Sequence, residues 1–469
     1  LSESRYPVRR NEILDIEISN IAFGGKGIGY RGSYVVFVGD TIPGDLVRAR
    51  ITRRKQNYAE ARLVEIIRPS DIRIKAPCPY FQWCGGCTWQ NLSYQHQLNF
   101  KRQHVTETLE HIGIVGDVYV EKTIPSPMIW GYRNKMEFSF SDRRWLLPSE
   151  LGNMEIPISY VLGLHVPGTF DKILDVDHCL LQSETANRIL KITDDYCREE
   201  KLEPYGVRSH RGFMRFLVIR ESQTASELMV NLVTAFYDPE KLQPLAERII
   251  TRVREVTGVV NNINTRKAQI AFGEKEYILS GKPYITENIG DLHFEISANS
   301  FFQTNTRQAQ KLYEIAADFA DLKGNEIVWD LYAGTGTISL FVAKRAKIVY
   351  GFELVESAVK DAGQNANENG IANVRFIAGD LLTNIRTFGP PPDVVIVDPP
   401  RSGMHPGVCS SLCDSGAERI VYVSCNPGTM ARDVRLMNGH YRIRKVQPVD
   451  MFPHTYHVES VVLLERIHA

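Results

Sequence analysis

Three cysteines crowd one short stretch, Cys78-Pro79-Tyr80-Phe81-Gln82-Trp83-Cys84-Gly85-Gly86-Cys87, with spacing C-x5-C-x2-C. Thiols gathered this closely suit a metal. A structural zinc site usually offers two close pairs, and only one pair is local here, so a further ligand must come from elsewhere. Cys179, in Asp177-His178-Cys179-Leu180, is the natural fourth ligand. His178 reads as a neighbour rather than a ligand. A different thiol, Cys425, stands in Ser424-Cys425-Asn426-Pro427, just past the apolar run Ile420-Val421-Tyr422-Val423. The proline restricts the residue before it and forces a turn, so this thiol sits at a strand end, where it can act as a nucleophile. The structural alternative is a small buried hydrophobe. Cys197, Cys409 and Cys413 match no pattern and read as packing residues.

A second constellation is acidic. Asp330-Leu331-Tyr332-Ala333-Gly334-Thr335-Gly336-Thr337 follows an apolar strand, and its glycines permit a tight turn and close approach of a ligand. Glu353, Asp380 and Asp398 end the next three strands of the pattern. A carboxylate at such a strand end can accept from two ribose hydroxyls. Each acid taken singly could merely cap a helix; as a set they line one crevice. A dinucleotide site wants a third glycine in the turn, and Ile338-Ser339 stands there instead. S-adenosylmethionine is the better ligand, which disfavours a nicotinamide oxidoreductase.

The elements that must hold these residues fall into three parts. Residues 1–70 carry five short strands, among them Ile13–Ile18, Tyr34–Val38 and Leu46–Ile51, and fit a small OB-like β-barrel. Residues 71–290 read as an α+β region. Helices are expected over Asn99–His111 and Pro244–Val256, and strands at Met136–Phe140 and Phe216–Arg220. From 291 to 469 strands and helices alternate, which predicts a doubly wound α/β sheet of Rossmann-like form with its ligands at the carboxyl ends of the strands.

Composition narrows the classes. Over 469 residues, 43% hydrophobic and 23% charged content belongs to a soluble multidomain protein, and no apolar run reaches bilayer length. No membrane and no obligate protein partner are implied. Leu1–Arg10 is charged and lacks an apolar core, so a cytoplasmic location with reduced thiols is expected. Net charge is zero, but residues 1–75 hold fourteen Lys/Arg against nine Asp/Glu. Arg48, Arg50, Arg53, Arg54, Lys55 and Tyr58 form a solvated face or a phosphate track. Arg211, Arg215 and Arg220 are expected at the surface, as ion-pair residues or phosphate contacts.

Three segments carry a specific resemblance: Asp398-Pro399-Pro400-Arg401-Ser402-Gly403, Tyr422 to Thr429, and Asp450 to Glu459. They resemble those of the RNA 5-methyluridine methyltransferase family. The likeness extends along the chain to the branch with an N-terminal TRAM barrel and an iron–sulfur cluster, the 23S ribosomal RNA (uracil-5-)-methyltransferases. The resemblance implies Cys425 as nucleophile, Glu459 as general base and Asp398 as the group that orients substrate or donor. It implies a donor site of Gln303, Tyr332, Glu353 and Asp398, beside the turn of Gly334 and Gly336 and the strand-end Asp380. It also implies a [4Fe–4S] cluster on Cys78, Cys84, Cys87 and Cys179. Zinc is the alternative there, because all-thiolate sites suit both. RNA is the implied partner, 23S ribosomal RNA first and transfer RNA second. A non-catalytic RNA-binding paralogue is the reading from another class.

Overall fold

A computed structural model describes residues 7–113, 116, 118–385 and 389–468. The first five strands are β1 (Ile13–Ile21), β2 (Gly27–Arg31), β3 (Tyr34–Val38), β4 (Leu46–Arg54) and β5 (Tyr58–Arg68). They close into a barrel in the order β1-β2-β3-β5-β4. Alternate residues of β1 are buried, so Leu14, Ile16 and Ile18 fill the interior while the intervening side chains face out. Closure leaves no unpaired edge. The basic strip on β4 is mostly a solvated face. Arg48 pairs with Asp15 and Glu65, and Arg53 with Glu60.

The cysteine segment leads into α1 (Tyr94–Thr108), which widens to a π-helical turn over Leu109–Gly113. The helix starts earlier than its apolar stripe suggests, because polar Gln97 and Lys101 are buried on it. The barrel docks on this segment: Ile21 and Ile42 share a core with Trp89 and Leu92.

A central sheet follows, built from β6 (Lys135–Ser141), β7 (Arg144–Trp145), β8 (Val161–His165), β9 (Ile173–Asp175), β10 (Met214–Glu221), β11 (Leu228–Thr234), β12 (Val256–Ile263) and β13 (Lys275–Gly281). Its order is β13-β12-β11-β10-β6-β8-β9-β7. Helices α2 (Glu184–Glu199) and α3 (Pro239–Arg252) cover one face. The structure moves α3 five residues towards the N-terminus of its expected span. Asp238 caps it and Pro239 takes the first position, so Pro244 lies inside the helix and Val256 already begins β12.

The hairpin β14 (Tyr284–Ile289) and β15 (Leu292–Ser297) leads to α4 (Thr306–Ala320) and the last sheet. That sheet comprises β16 (Ile327–Leu331), β17 (Ile348–Glu353), β18 (Val374–Ala378), β19 (Val394–Val397), β20 (Arg419–Ser424), β21 (Tyr441–Val449) and β22 (Glu459–Arg466). Its order is β18-β17-β16-β19-β20-β22-β21. The first five in sequence pair in parallel, while β22 runs antiparallel to both β20 and β21. Its helices are α5 (Thr337–Ala343), α6 (Glu356–Glu368), α7 (Leu381–Asn384), α8 (Pro406–Asp414) and α9 (Pro427–Met437). All four residues of β19 are buried, as expected of a strand covered on both faces. Among the described residues no helix is long and apolar enough to cross a membrane.

Candidate active site

Strand order reverses between β16 and β19, which opens a crevice at the carboxyl edge of the last sheet. Tyr332, Glu353, Asp398 and Cys425 end or immediately follow β16, β17, β19 and β20. Because β22 is antiparallel to β20, with Ser424 opposite Ser460, its first residue Glu459 lies at the same edge, beside Cys425. A single antiparallel strand therefore brings a carboxyl to a thiol far from it in sequence.

The turn after β16 is tightly specified. Tyr332, Gly334 and Gly336 all have positive φ, at 66°, 55° and 81°. At Gly336 a β-carbon would meet the Phe376 ring at 2.6 Å, whereas nothing lies within 4 Å of one at Gly334. The second glycine serves packing, and the first leaves its backbone open to a ligand. Glu353 steadies the turn by accepting from Gly334 N at 3.0 Å through one oxygen and from Val355 N at 2.9 Å through the other. Asp380 is exposed and caps α7, accepting from Leu382 N at 2.9 Å.

Cys425 occupies a strand-to-helix elbow. Asn426 caps α9 through Gly428 N and reaches back with its amide to Arg401 O at 3.0 Å, tying the thiol loop to the loop after Asp398. Cys425 is half-buried, and burial pushes its thiol up to about 11; the charges of Glu459 and Asp398 add to this and Arg401 opposes it. Glu459 is 5% exposed, and burial drives it up to about 8, with Asp398 adding and Arg401 opposing. Asp398 keeps some solvent access at the crevice mouth, yet enclosure by protein raises it to about 7. These groups sense one another and titrate as a set.

Three further members of this neighbourhood had no role assigned from the sequence, although Asp330 and Arg401 stand within motifs quoted above. Asp330 is fully buried, accepts from Ser339 Oγ at 2.5 Å, and is raised to about 7 chiefly by burial. Tyr313 is buried on α4, and burial plus the charges of Asp398, Glu459 and Asp330 pushes its phenol well up. Arg401 is the cation that opposes the raised values of Cys425 and Glu459. Apolar periodicity marks Tyr313 only as core, and nothing local says which carboxylates lie beneath it.

The loop that delivers Glu459 is braced from α1. Lys101 and Asp450, both with fully buried side chains, pair at 2.5 Å, and Lys101 also donates to Phe452 O at 3.0 Å. Gln97 accepts from His454 N at 2.9 Å. His454 has φ 65°, stacks on Trp130 with ring centroids 3.7 Å apart, and offers its carbonyl to Thr88 N and Trp89 N at 2.9 and 3.0 Å. The residues directly after Cys87 thus touch the segment directly before Glu459.

Cys78, Cys84, Cys87 and Cys179 are free thiols that line one small pocket with Tyr80 and Gln90. Burial and the neighbouring thiols push Cys84 and Cys87 up to about 12. Among the described residues, however, no three His, Cys, Asp or Glu side chains are grouped as ligands of a single metal ion. His178 turns to Glu184 at 3.5 Å. Cys197, Cys409 and Cys413 are buried in apolar cores.

Two arginines expected at the surface are buried. Arg215, 1% exposed, donates to the carbonyls of Asn264 and Arg266 at 2.6 Å and of Ala268 at 2.9 Å, and lies over the Tyr205 ring. Arg220, 3% exposed, donates to Ala298 O and Ser300 O. Both secure loops by donating to backbone carbonyls, and among the described residues neither forms an ion pair. Arg211 is exposed, as expected.

Residues 240–467 match the tRNA (Uracil-5-)-methyltransferase family, and residues 7–64 match the TRAM domain. An uncharacterized RNA methyltransferase of Chlorobaculum tepidum is 43% identical over 475 residues, covering 99% of this chain and 98% of the relative. One from Halalkalibacterium halodurans is 37% identical over 469 residues, covering 99% of each. Among solved structures, the Pyrococcus abyssi tRNA (uracil-54, C5)-methyltransferase in complex with S-adenosyl-L-homocysteine is 30% identical with a TM-score of 0.75, covering 96% of this chain and all of that one. With end-to-end relatives at this identity, and a strand-edge crevice on a class I methyltransferase sheet behind a TRAM barrel, this chain belongs to the S-adenosylmethionine-dependent RNA uracil-5-methyltransferase family.

Proposed function

We propose that this protein methylates carbon 5 of one specific uridine in RNA, through a covalent bond between Cys425 and carbon 6 of the base. The observation that carries this reading is the adjacency of Cys425 and Glu459 across β20 and β22 at the crevice. Carbon 5 of uracil is too weak a nucleophile to take a methyl group unaided. The Cys425 thiol gives up its proton to solvent, and addition of the thiolate to carbon 6 forms a carbon–sulfur bond and leaves the ring an enolate, rich in electrons at carbon 5. Carbon 5 then takes the methyl group, and the sulfonium sulfur keeps the electron pair as S-adenosylhomocysteine leaves. Glu459 removes the carbon 5 proton, and the resulting elimination expels the thiolate. A carboxyl raised to about 8 is well matched to that proton transfer near neutral pH. Asp398 orients the uracil or the donor.

Gln303, Tyr332, Gly334, Gly336, Glu353, Asp380 and Asp398 form the donor site in this reading. The open backbone at Gly334 supports it. The target base leaves its stack to reach Cys425. The barrel, within residues 1–70, and the central region, 71–290, serve as the RNA-holding parts beside the catalytic 291–469. A cytoplasmic location goes with an RNA substrate and unpaired thiols.

Cys78, Cys84, Cys87 and Cys179 fit a [4Fe–4S] cluster better than zinc. They line one pocket as four free thiols, and the resemblance to the iron–sulfur branch favours the cluster over zinc, since all-thiolate sites suit both. Such a group would supply a structural brace, since methyl transfer consumes no electrons.

The favoured substrate is 23S ribosomal RNA, on the resemblance to that branch. A second reading, transfer RNA, has its own support. The Pyrococcus abyssi tRNA (uracil-54, C5)-methyltransferase aligns with 96% of this chain, barrel and cysteine segment included. Incubating the protein with methyl-labelled donor and total RNA, then mapping the label, tests the proposal. A single labelled 5-methyluridine is expected, and the RNA carrying it identifies the substrate. Label on another base or atom would overturn the chemistry.

A further inference from the structure

Arg220 sits in the central sheet, on β10, yet its hydrogen bonds go to the other domain. Nε and Nη2 donate to Ala298 O at 3.3 Å, and Nη2 also donates to Ser300 O. These carbonyls belong to the segment just before Gln303. The position is a costly one for a cation. Arg220 is 3% exposed, its cross-strand neighbour is Lys135, and the nearby Glu137 is paired with Lys135. Burial lowers the guanidinium to about 10. An apolar side chain would fill the same space without that penalty.

The same loop is tethered again from β6. Asn134, just ahead of that strand, donates through Nδ2 to Gln303 O at 2.8 Å and to Thr306 Oγ1 at 2.8 Å, and through its backbone N–H to Thr304 O at 2.9 Å. Glu221, next to Arg220, donates its N–H to Asn134 O at 2.8 Å, which joins the two tethers. A third link runs from Asn299 Nδ2 to Asn262 Oδ1 at 2.9 Å. Carbonyls from Ala298 to Thr304 are therefore held mainly by side chains and backbone of the central sheet.

We propose that Arg220 and Asn134 are positioning residues for the methyl donor: they hold the loop that carries Gln303, so donor affinity is set from the central sheet. The inference rests on the reading of Gln303 as a donor contact. Movement of the β10–β6 end of the sheet, the part of the molecule assigned to RNA, would then change donor binding without touching Cys425.

The test measures S-adenosylhomocysteine affinity by calorimetry, and steady-state kinetics with RNA, for Arg220→Met, Arg220→Lys, Asn134→Ala and Gln303→Ala in the full chain. Losing hydrogen bonds from a charged donor should weaken S-adenosylhomocysteine binding in Arg220→Met by about ten-fold to a hundred-fold. KM for the donor should rise in parallel, while kcat at saturating donor and RNA affinity hold near wild type. Arg220→Lys should recover part of the loss, and Asn134→Ala should weaken binding in the same direction. If Arg220→Met does not fold, Asn134→Ala decides. Unchanged donor affinity in the folded tether variants, with a loss in Gln303→Ala, overturns the inference and leaves the donor reading standing. Unchanged affinity in all of them, Gln303→Ala included, overturns the donor reading and the inference with it.

Discussion

Cys425 and the four cysteines of the pocket share a residue type and a half-buried setting, and burial pushes up the thiols of Cys425, Cys84, Cys87 and Cys179. Their neighbours differ. Cys425 faces Glu459 and Asp398 with Arg401 opposing them, at the carboxyl edge of the last sheet's parallel strands. The pocket thiols face mainly one another. One thiol beside a raised carboxyl can exchange protons and bond carbon; several together can share a metal group. Burial alone thus says little about what a cysteine does, and the charges around it say most.

The largest effect should come from Cys425→Ala. Methyl transfer should fall by at least about a thousand-fold while donor binding persists, as read by labelled-methyl incorporation and calorimetry. Full turnover would remove the covalent mechanism and erase the contrast between the two thiol sites. Glu459→Gln should cost about a hundred-fold or more and trap a protein–RNA adduct, visible as a shifted band on a denaturing gel. Intact activity without that band would reassign the base. Cys84→Ser tests the other site: iron content and brown colour should be lost and the melting temperature lowered. Methyl transfer should stay within about a hundred-fold of wild type, the loss passing through the Thr88 and Trp89 bonds to the His454 carbonyl. Full iron in that variant would disprove the ligand assignment.

Acidity gives a subtler test. Glu459 at about 8 and Asp398 at about 7 lie above the ordinary carboxyl range of the unfolded chain. Both bind their protons more tightly when folded. Their contribution to stability is therefore full below about pH 4 and is lost as pH rises through 7 to 8. Melting temperatures of wild type should fall relative to Glu459→Gln between pH 6 and pH 8.5 (test conditions on the order of one pKa width either side). A gap that stayed flat over this range would show Glu459 to be ionised in the resting fold. The smallest effect belongs to a third kind of thiol: Cys413→Ala, on the buried face of α8, should cost about 1 kcal/mol of stability and leave both iron content and methyl transfer unchanged.

The elements were legible where burial follows a local period. The alternation in β1 and the continuous apolar runs of β19 and β20 announce themselves within a few residues. α3 was displaced because two prolines compete for its first turn, and the cap at Asp238 favours Pro239. Arg215 and Arg220 were illegible, since an arginine is buried only where distant carbonyls arrive to meet it. Tyr313 and Asp330 were illegible as site groups for the same reason.

By itself the sequence determined the kinds of chemistry available: a thiol at a strand end, acids at successive strand ends, a glycine turn, and a close run of cysteines. These depend on residues a few positions apart, where chain geometry is nearly rigid. Only the tertiary structure decided who stands beside whom. The antiparallel entry of β22 sets Glu459 against Cys425, the buried Lys101–Asp450 pair steadies the loop that brings it there, and the central sheet holds the segment before Gln303. Proton affinity, and with it reactivity, follows from desolvation and from charges only a few ångströms away, and those distances exist only once remote parts of the chain have packed together.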